Sequence, residues 1–298
     1  MEILRGDLAA ILRGSSGAEE RFGDRIVALA QDDHGVDVTF ASGPTERFDV
    51  VVGADGVHSG VRALAFGPER DFVRHLGAYG GYFTVPDPGD LDHWFLMHNA
   101  TGGRVAGIRP GRDGTAVVSL TVTSPPARVG REELTARMAG AGWRVPELLT
   151  GLAGATDFFV DSISQVRVER WARGRIVLLG DAGWCGSPLA GQGTSLALVG
   201  AYVLAGELAA RPDDPEAAFA AYQRELNDHV AAGVRMPPGG VRMFAPRSAA
   251  MIAARAWSMR MMTRAPLRSV LARRFGRADR LRLKGYVRSV SGPGIPRS

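Results

Sequence analysis

A carboxylate stands directly after an apolar segment in the second half of the chain. Residues 175–179 are almost entirely apolar, and Gly180 and Asp181 follow them. A buried strand of this kind brings a carboxylate to the carboxyl edge of a sheet, where open α/β folds bind ligands. A carboxylate at that edge suits the hydroxyl groups of a ribose or ribityl chain. Asp181 is therefore a candidate binding residue.

A glycine-rich loop follows ten residues after Asp181. It leaves bare backbone N–H groups at the start of the next helix, whose positive end favours an anion by about 0.3–2 kcal/mol. The alternative is an ordinary strand-loop-helix in which the glycines only permit tight packing. The candidate binding residues of this loop are Pro188, which stiffens the approach, and Gly191, Gln192, Gly193 and Thr194.

Two further candidates lie nearer the start of the chain. Asp55 and Gly56 come directly after the apolar run 50–53, and Arg5 stands in an apolar, helix-like opening segment. Each has an unremarkable alternative, since Asp-Gly usually forms a turn and a surface arginine is common. The residues alone leave both interpretations of each candidate open.

Other types of catalytic site have no support in the sequence. The six histidines show no metal-ligand spacing, because His93 and His98 lie five residues apart and no HExxH motif occurs. There is no phosphate-binding Walker loop and no GxSxG nucleophile motif. Cys185 lies inside the glycine-rich region, where a redox role or covalent link competes with simple burial, and burial is the commoner fate of a free cysteine.

The elements that would position these residues follow from periodicity and turn residues. Residues 25–53 predict a three-stranded meander whose third strand, with Val50, Val51 and Val52, is buried on both faces. Residues 70–124 alternate as aromatic-rich strands and predict a separate antiparallel sheet. Beyond it, the sequence predicts a helix over 131–138, strands over 158–168 and 175–179, and a helix from Asp214 and Pro215 towards Val234.

Composition is that of a globular chain, with 298 residues and 45% hydrophobic content. A single cysteine excludes an internal disulfide and favours a reducing cytoplasm. The longest apolar stretch, Ser195–Gly206, is shorter than the roughly 20 residues that span a bilayer, so we expect a buried helix.

The net charge of +5 belongs to a basic tail. Residues 237–298 carry thirteen arginines and one lysine against a single acid. No nucleic-acid-binding module accompanies them, so a nucleic-acid partner is not expected. The tail predicts an arginine-rich amphipathic helix that bridges domains or, as the less favoured alternative, lies on a membrane.

Together these motifs resemble those of class A FAD-dependent aromatic-ring monooxygenases, the group that includes hydroxybenzoate hydroxylase and the tetracycline-inactivating oxygenases. Gly180-Asp181-Ala182, Pro188 and Gly191-Gln192-Gly193 are similar to the second FAD motif, and 49–62 is similar to the Asp-Gly motif. Residues 4–8 resemble the helix whose arginine contacts FAD, and 283–286 resemble a C-terminal signature. The match departs at Gly183-Trp184, where the family more often has Ala-His.

The resemblance implies an α/β FAD/NAD(P)-binding fold with an inserted antiparallel β-sheet substrate domain and C-terminal helices that pack over that domain. We expect FAD-binding parts over 1–68 and 169–211, a substrate-binding sheet over 69–168 and a helical region over 212–298. The first βαβ unit with its GxGxxG fingerprint is absent, which predicts an N-terminally truncated product or a misplaced start.

The implied activity is hydroxylation of an aromatic or polyketide-like molecule with NAD(P)H and O2. The reduced flavin carries negative charge at its N1/C2 carbonyl edge, which would lie at Gly191–Gly193. Phe83, Trp94, Phe95, Met97 and His98 are candidates to line the substrate site, with core packing expected for at least half. The alternatives are an inactive or split-gene fragment that needs an N-terminal partner, and a related halogenase or isoprenoid reductase.

Overall fold

The computed structural model describes residue 3, residues 5–262 and residues 283–286. The helices are α1 (Arg5–Gly14), α2 (Gly60–Ala65), α3 (Arg131–Met138), α4 (Val145–Gly154), α5 (Gly193–Ala210), α6 (Pro215–Gly233), α7 (Gly240–Phe244) and α8 (Ala249–Met262). The strands are β1 (Ile26–Gln31), β2 (Val36–Phe40), β3 (Thr45–Phe48), β4 (Val51–Gly53), β5 (Val73–Pro86), β6 (Leu96–Ala100), β7 (Arg104–Pro110), β8 (Thr115–Thr123), β9 (Phe159–Arg167), β10 (Ala172–Arg173), β11 (Ile176–Leu178) and β12 (Trp184–Cys185). Short 3₁₀ turns occupy Glu69–Asp71, Gly180–Ala182 and Pro188–Ala190.

The largest layer is a six-stranded antiparallel sheet in the order β12-β9-β5-β8-β7-β6. Alternation along β8 explains its two faces, because Val118 and Leu120 are fully buried whereas Val117 and Ser119 are only partly buried on the other face. The buried face packs against α3 and α4, and α4 was not predicted from the sequence. The separate antiparallel sheet that the sequence predicted is confirmed.

A smaller parallel pair positions the candidate motifs. Strand β11 runs parallel to β4, with Ile176 opposite Val51 and Leu178 opposite Gly53, and β10 pairs with the other edge of β11. The prediction of one long third strand was wrong. Strand β3 completes the meander with β1 and β2, and the chain then enters a different sheet as β4.

The expected burial of β4 on both faces was also wrong. Val51 is buried, but Val52 is 38% exposed. Strand β11 covers one edge of β4, and no strand in the described part of the chain pairs with the other edge. The parallel sheet is therefore open at β4.

Helices α5 and α6 pack together against the parallel sheet. Asp214 accepts a hydrogen bond from Ala217 N at 2.9 Å, which confirms the predicted start of α6. Tyr222 on α6 is fully buried and donates to the Leu178 carbonyl at 3.2 Å. By length and composition alone, α5 also passes as a membrane-spanning candidate, the one such helix among the described residues. That test does not separate a spanning helix from a core helix, and α5 packs on α6 in this fold.

The C-terminal part of the described chain packs on both layers. Helix α8 lies against β6, where Arg255 binds the Asn99 side chain, as expected for a helix that covers the sheet. The segment 283–286 lies on α5, where Tyr286 donates to Glu207 Oε1 at 2.7 Å. The remaining tail residues lie outside the described part of the chain.

Candidate functional site

The two predicted loops meet at one edge of the parallel sheet. The Leu179 amide donates to the Gly53 carbonyl at 2.9 Å, immediately before each chain leaves its strand. Since β4 and β11 are parallel, the Asp55-Gly56 turn and the Gly180–Ala182 turn leave the sheet side by side. The structure therefore brings two of the three sequence motifs together.

The Asp55 carboxylate is engaged within its own turn. One oxygen accepts from the Ser59 hydroxyl, and the other accepts from Val61 N at 3.0 Å. Ser59 in turn accepts from Arg62 N at 2.9 Å and so caps α2. Asp55 thus shapes the turn, and Gly56 follows it at φ +84°.

Arg62 joins the two loops. Its side chain is fully buried, donates to the Ala182 carbonyl at 2.9 Å and donates to the Val57 carbonyl at 2.6 Å. Burial lowers the pKa of Arg62, while the nearby Glu69 and Asp55 oppose that shift. Arg62 lies in the motif 49–62, but no sequence pattern indicated that it bridges the two loops.

Asp181 faces the start of α5. A Cβ on Gly193 would lie 3.7 Å from Asp181 Oδ1, so the carboxylate and the first turn of the helix are neighbours.

Burial raises the pKa of Cys185 to about 12, and the negative charge of Asp181 adds to that shift. The thiol is consequently protonated at neutral pH, which favours the simple buried role over a redox role.

The glycine-rich loop presents free backbone at the end of a constrained turn. Gly191 adopts φ +69°, which a side chain would strain, and it is followed by α5. Gln192 stands at the N-cap of that helix, and its side chain makes no hydrogen bond to the first backbone N–H groups. The loop residues from Gly191 to Thr194 are exposed. These features fit the edge of an anionic ring.

The turn before this loop is held in a strained conformation. Ser187 is buried at φ +73°, an unfavourable region for a residue with a side chain. Its hydroxyl accepts from Leu189 N at 3.2 Å and lies 3.3 Å from Met236 Sδ. Pro188 follows at the start of the 3₁₀ turn, and its stiffening role stays a prediction.

A cavity of about 870 Å³ separates this loop from the antiparallel sheet. The loop contributes Pro188 and Gly191 to its wall, and the sheet contributes polar and aromatic side chains from β5, β7 and β8. These sheet residues include Tyr82, Arg109 and Ser119, together with the apolar Val117. The volume is within the range of about 300–1,000 Å³ that small-molecule sites occupy.

The aromatic candidates separate into different environments. Phe95 lines the cavity, whereas Phe83 is buried in the core behind the sheet. Trp94 and Met97 are exposed and lie outside the cavity lining, and His98 binds the Ala141 carbonyl at 3.0 Å. Strand alternation alone did not choose among them, and it missed Tyr82, Arg109 and Ser119.

His58 links the Asp55 turn to the antiparallel sheet. Its Nε2 lies 3.0 Å from Asp161 on β9, and its Nδ1 lies 3.1 Å from Glu69. The hydrogen bond with Asp161 raises the pKa of His58, and Glu69 adds to the shift. No sequence pattern identified this connection, because Asp161 is more than a hundred residues away.

The Gly183-Trp184 departure from the family pattern lies in the core. The Trp184 ring packs 4.3 Å from Trp171 and 5.9 Å from Tyr222, measured between ring centroids. Arg5 begins α1, and its side chain lies outside the described part of the structure. Among the described residues, no cluster of His, Cys, Asp and Glu could hold a metal ion.

Comparisons with known proteins agree with this geometry. The chain belongs to the FAD-binding domain family, whose sequence profile matches residues 7–236. It is 43% identical over 240 residues to an uncharacterized protein of Mycobacterium tuberculosis, covering 77% of this chain and 64% of that protein. It is 39% identical over 241 residues to a flavin-dependent monooxygenase of an unknown prokaryotic organism, covering 78% of this chain and 62% of that protein.

The fold is similar to that of tetracycline destructase Tet(55), with a TM-score of 0.72 and 36% identity, covering 85% of this chain and 70% of that structure. The resemblance to class A FAD-dependent monooxygenases and the α/β FAD-binding fold with its antiparallel sheet are confirmed. The chain spans less than two thirds of the length of these two sequence relatives.

Proposed function

We propose that this chain forms the greater part of an FAD-dependent monooxygenase that uses NAD(P)H and O2 to oxidise an aromatic or polycyclic small molecule. The observation that carries the proposal is the cavity between the Pro188–Gly191 loop and the antiparallel sheet. Bound FAD would supply the redox and oxygen-transfer chemistry. The sequence favours a cytoplasmic location through its single cysteine.

The residues around the loop fit the flavin and its ribityl chain. The amides of Gln192, Gly193 and Thr194 at the start of α5 would donate to the anionic edge of the ring, and Asp181 would accept from a ribityl hydroxyl. Gly56 offers close backbone approach beside them. Arg62 would position both turns through its two carbonyl contacts.

The sheet face would bind the substrate. Tyr82, Phe95 and Val117 offer flat or apolar surfaces to a ring, and Ser119 offers a hydroxyl. Arg109 adds positive charge to the wall, which favours a phenolate or enolate oxygen on the substrate. Packing of the substrate ring against these side chains would exclude water from the reacting atoms.

The direct test measures FAD affinity and substrate-stimulated NADPH oxidation with the purified chain. Asp181→Ala should weaken FAD binding at least about tenfold, because one charged hydrogen-bond partner is lost. Asp213→Ala removes an exposed carboxylate from the α5–α6 loop and serves as the matched control. Equal FAD affinity in both variants would contradict the assignment of Asp181.

A second proposal concerns the open edge of β4. Val52 on that strand is 38% exposed, although its neighbour Val51 is buried. Exposed apolar surface beside an unpaired strand favours a covering element. We infer that a further strand, parallel to β4, completes the FAD site, either from the same polypeptide or from a partner.

The two proposals differ in one measurement. FAD affinity of this chain would be compared with and without the part of the mycobacterial relative that lies outside the matched 64%, added as a separate polypeptide. If that polypeptide restores FAD binding, the open edge is the missing part of the site. Tight binding by the chain alone would contradict the need for a covering strand.

A further inference from the structure

A second cavity of about 620 Å³ lies near the C-terminal helices and belongs to no motif described above. Its walls come from the bulged part of β5, the end of β8, α7 and the start of α8. Leu76, Val241 and Met251 provide apolar surface, and Thr123 and Ser124 provide hydroxyl groups. The volume suits a small molecule.

The second cavity is distinct from the first. Ser119 lines the first cavity and Thr123 lines the second, and both lie on the same face of β8 because they are four residues apart. That spacing corresponds to about 13 Å along a strand. A small buried cluster, formed by Ala78, Ile163 and Val241, packs beside the second cavity. It also contacts Leu189 in the turn before the glycine-rich loop.

The charge of the second cavity has one sign. Arg242 and Arg247 both line it, and none of its lining residues is acidic. Both arginines are exposed, and within the described part of the chain neither forms an ion pair with an acidic residue. Two cations beside an apolar surface form an arrangement that is complementary to an amphiphilic anion.

The start of α8 adds a further positive contribution. Ser248 caps this helix by accepting from Met251 N at 3.3 Å, and Met251 is also part of the cavity wall. The first turn of α8 contains no acidic residue that would offset the positive end of the helix. Arg247 directly precedes the cap.

We propose that this second cavity binds an amphiphilic small molecule with one anionic head group. The apolar body contacts Leu76, Val241 and Met251, and the head group lies at Arg242 and Arg247. Binding requires neither FAD nor the substrate cavity. The site is therefore testable whether or not the monooxygenase proposal holds.

The test uses octanoate as the probe and octan-1-ol as its uncharged counterpart. The protein is labelled with ¹³C at the methionine methyl groups, and the Met251 signal is assigned with Met251→Leu. Octanoate should shift the Met251 signal saturably and bind at least about tenfold more tightly than octanol, which corresponds to about 1.4 kcal/mol. The signals of Met97 and Met259, which are exposed elsewhere, should not saturate with the same affinity.

Paired variants connect the affinity to the arginines. Arg242→Gln with Arg247→Gln should reduce octanoate affinity to that of octanol. Arg70→Gln with Arg224→Gln makes the same change in net charge at exposed positions outside the cavity and should leave the affinity unchanged. Circular dichroism checks that each variant is folded.

Three outcomes would overturn the proposal. The Met251 signal does not move, or octanol binds as tightly as octanoate, or the cavity variant binds octanoate as the wild type does. Equal movement of Met97, Met251 and Met259 would identify nonspecific adsorption and would equally refute a defined site.

Discussion

Arg62→Met tests whether one buried cation holds the two candidate loops together. Methionine approximates the aliphatic stem of arginine but cannot donate to the Ala182 and Val57 carbonyls, which accept at 2.9 Å and 2.6 Å. A hydrogen bond from a charged donor contributes about 1.5–3 kcal/mol, and a buried carbonyl left without its donor costs about 1–3 kcal/mol. The desolvation of the guanidinium, which also lowers its pKa, offsets part of this gain.

We therefore expect Arg62→Met to lower the free energy of unfolding by about 3 kcal/mol. Arg62→Lys should lower it by about 1–2 kcal/mol, because an ammonium group keeps the charge but cannot reproduce the planar fork. Urea unfolding followed by far-ultraviolet circular dichroism measures both values. Trp184 lies two residues after Ala182, so near-ultraviolet circular dichroism reports displacement of the loop.

Arg70→Met is the matched control, because the Arg70 side chain is 84% exposed and lies 3.9 Å from Asp71. Its expected effect is within about 0.5 kcal/mol. If Arg62→Met changed the free energy of unfolding by less than about 1 kcal/mol at an unchanged denaturant slope, the bridging role would be refuted.

Three further predictions concern other contacts. His58 has a raised pKa in the folded chain, so its stabilising contribution is present below its unfolded pKa of about 6.5 and is lost as pH rises through the folded pKa. His58→Gln should therefore destabilise by less than about 1 kcal/mol at acidic pH and by nothing measurable at alkaline pH, and an equal effect at both would contradict it. Gly206→Ala should destabilise the fold by about 1–3 kcal/mol, because the new Cβ meets the Tyr286 ring. The control is Gly6→Ala, whose new Cβ meets open space. Equal melting temperatures of the two variants would contradict the contact. Cys185, with a pKa raised to about 12, should resist iodoacetamide at pH 8 in the folded chain and react after denaturation, as mass spectrometry would show; labelling of the folded chain would argue against burial.

The sequence predicted the parts of the fold that depend on local pattern. Apolar runs and alternation located β9, β11 and the large antiparallel sheet, and Asp214 with Pro215 marked the start of α6. Pattern failed at β3 and β4, because an apolar run does not show where a chain passes from one sheet to another. Helix α4 was missed because its apolar stretch is short and its N-cap residue, Arg144, makes no side-chain capping hydrogen bond.

The sequence by itself determined the family, because three motifs in a fixed order are specific even where each alone is not. It also determined which loops carry glycine and aspartate after buried strands. Only the tertiary structure decided which distant residues meet. The contact of Arg62 with Ala182 spans 120 positions and that of His58 with Asp161 spans 103, and no local pattern encodes such separations. The cavity wall likewise depends on which face of each strand turns towards the loop, a choice that packing makes when the opposite face buries the apolar core.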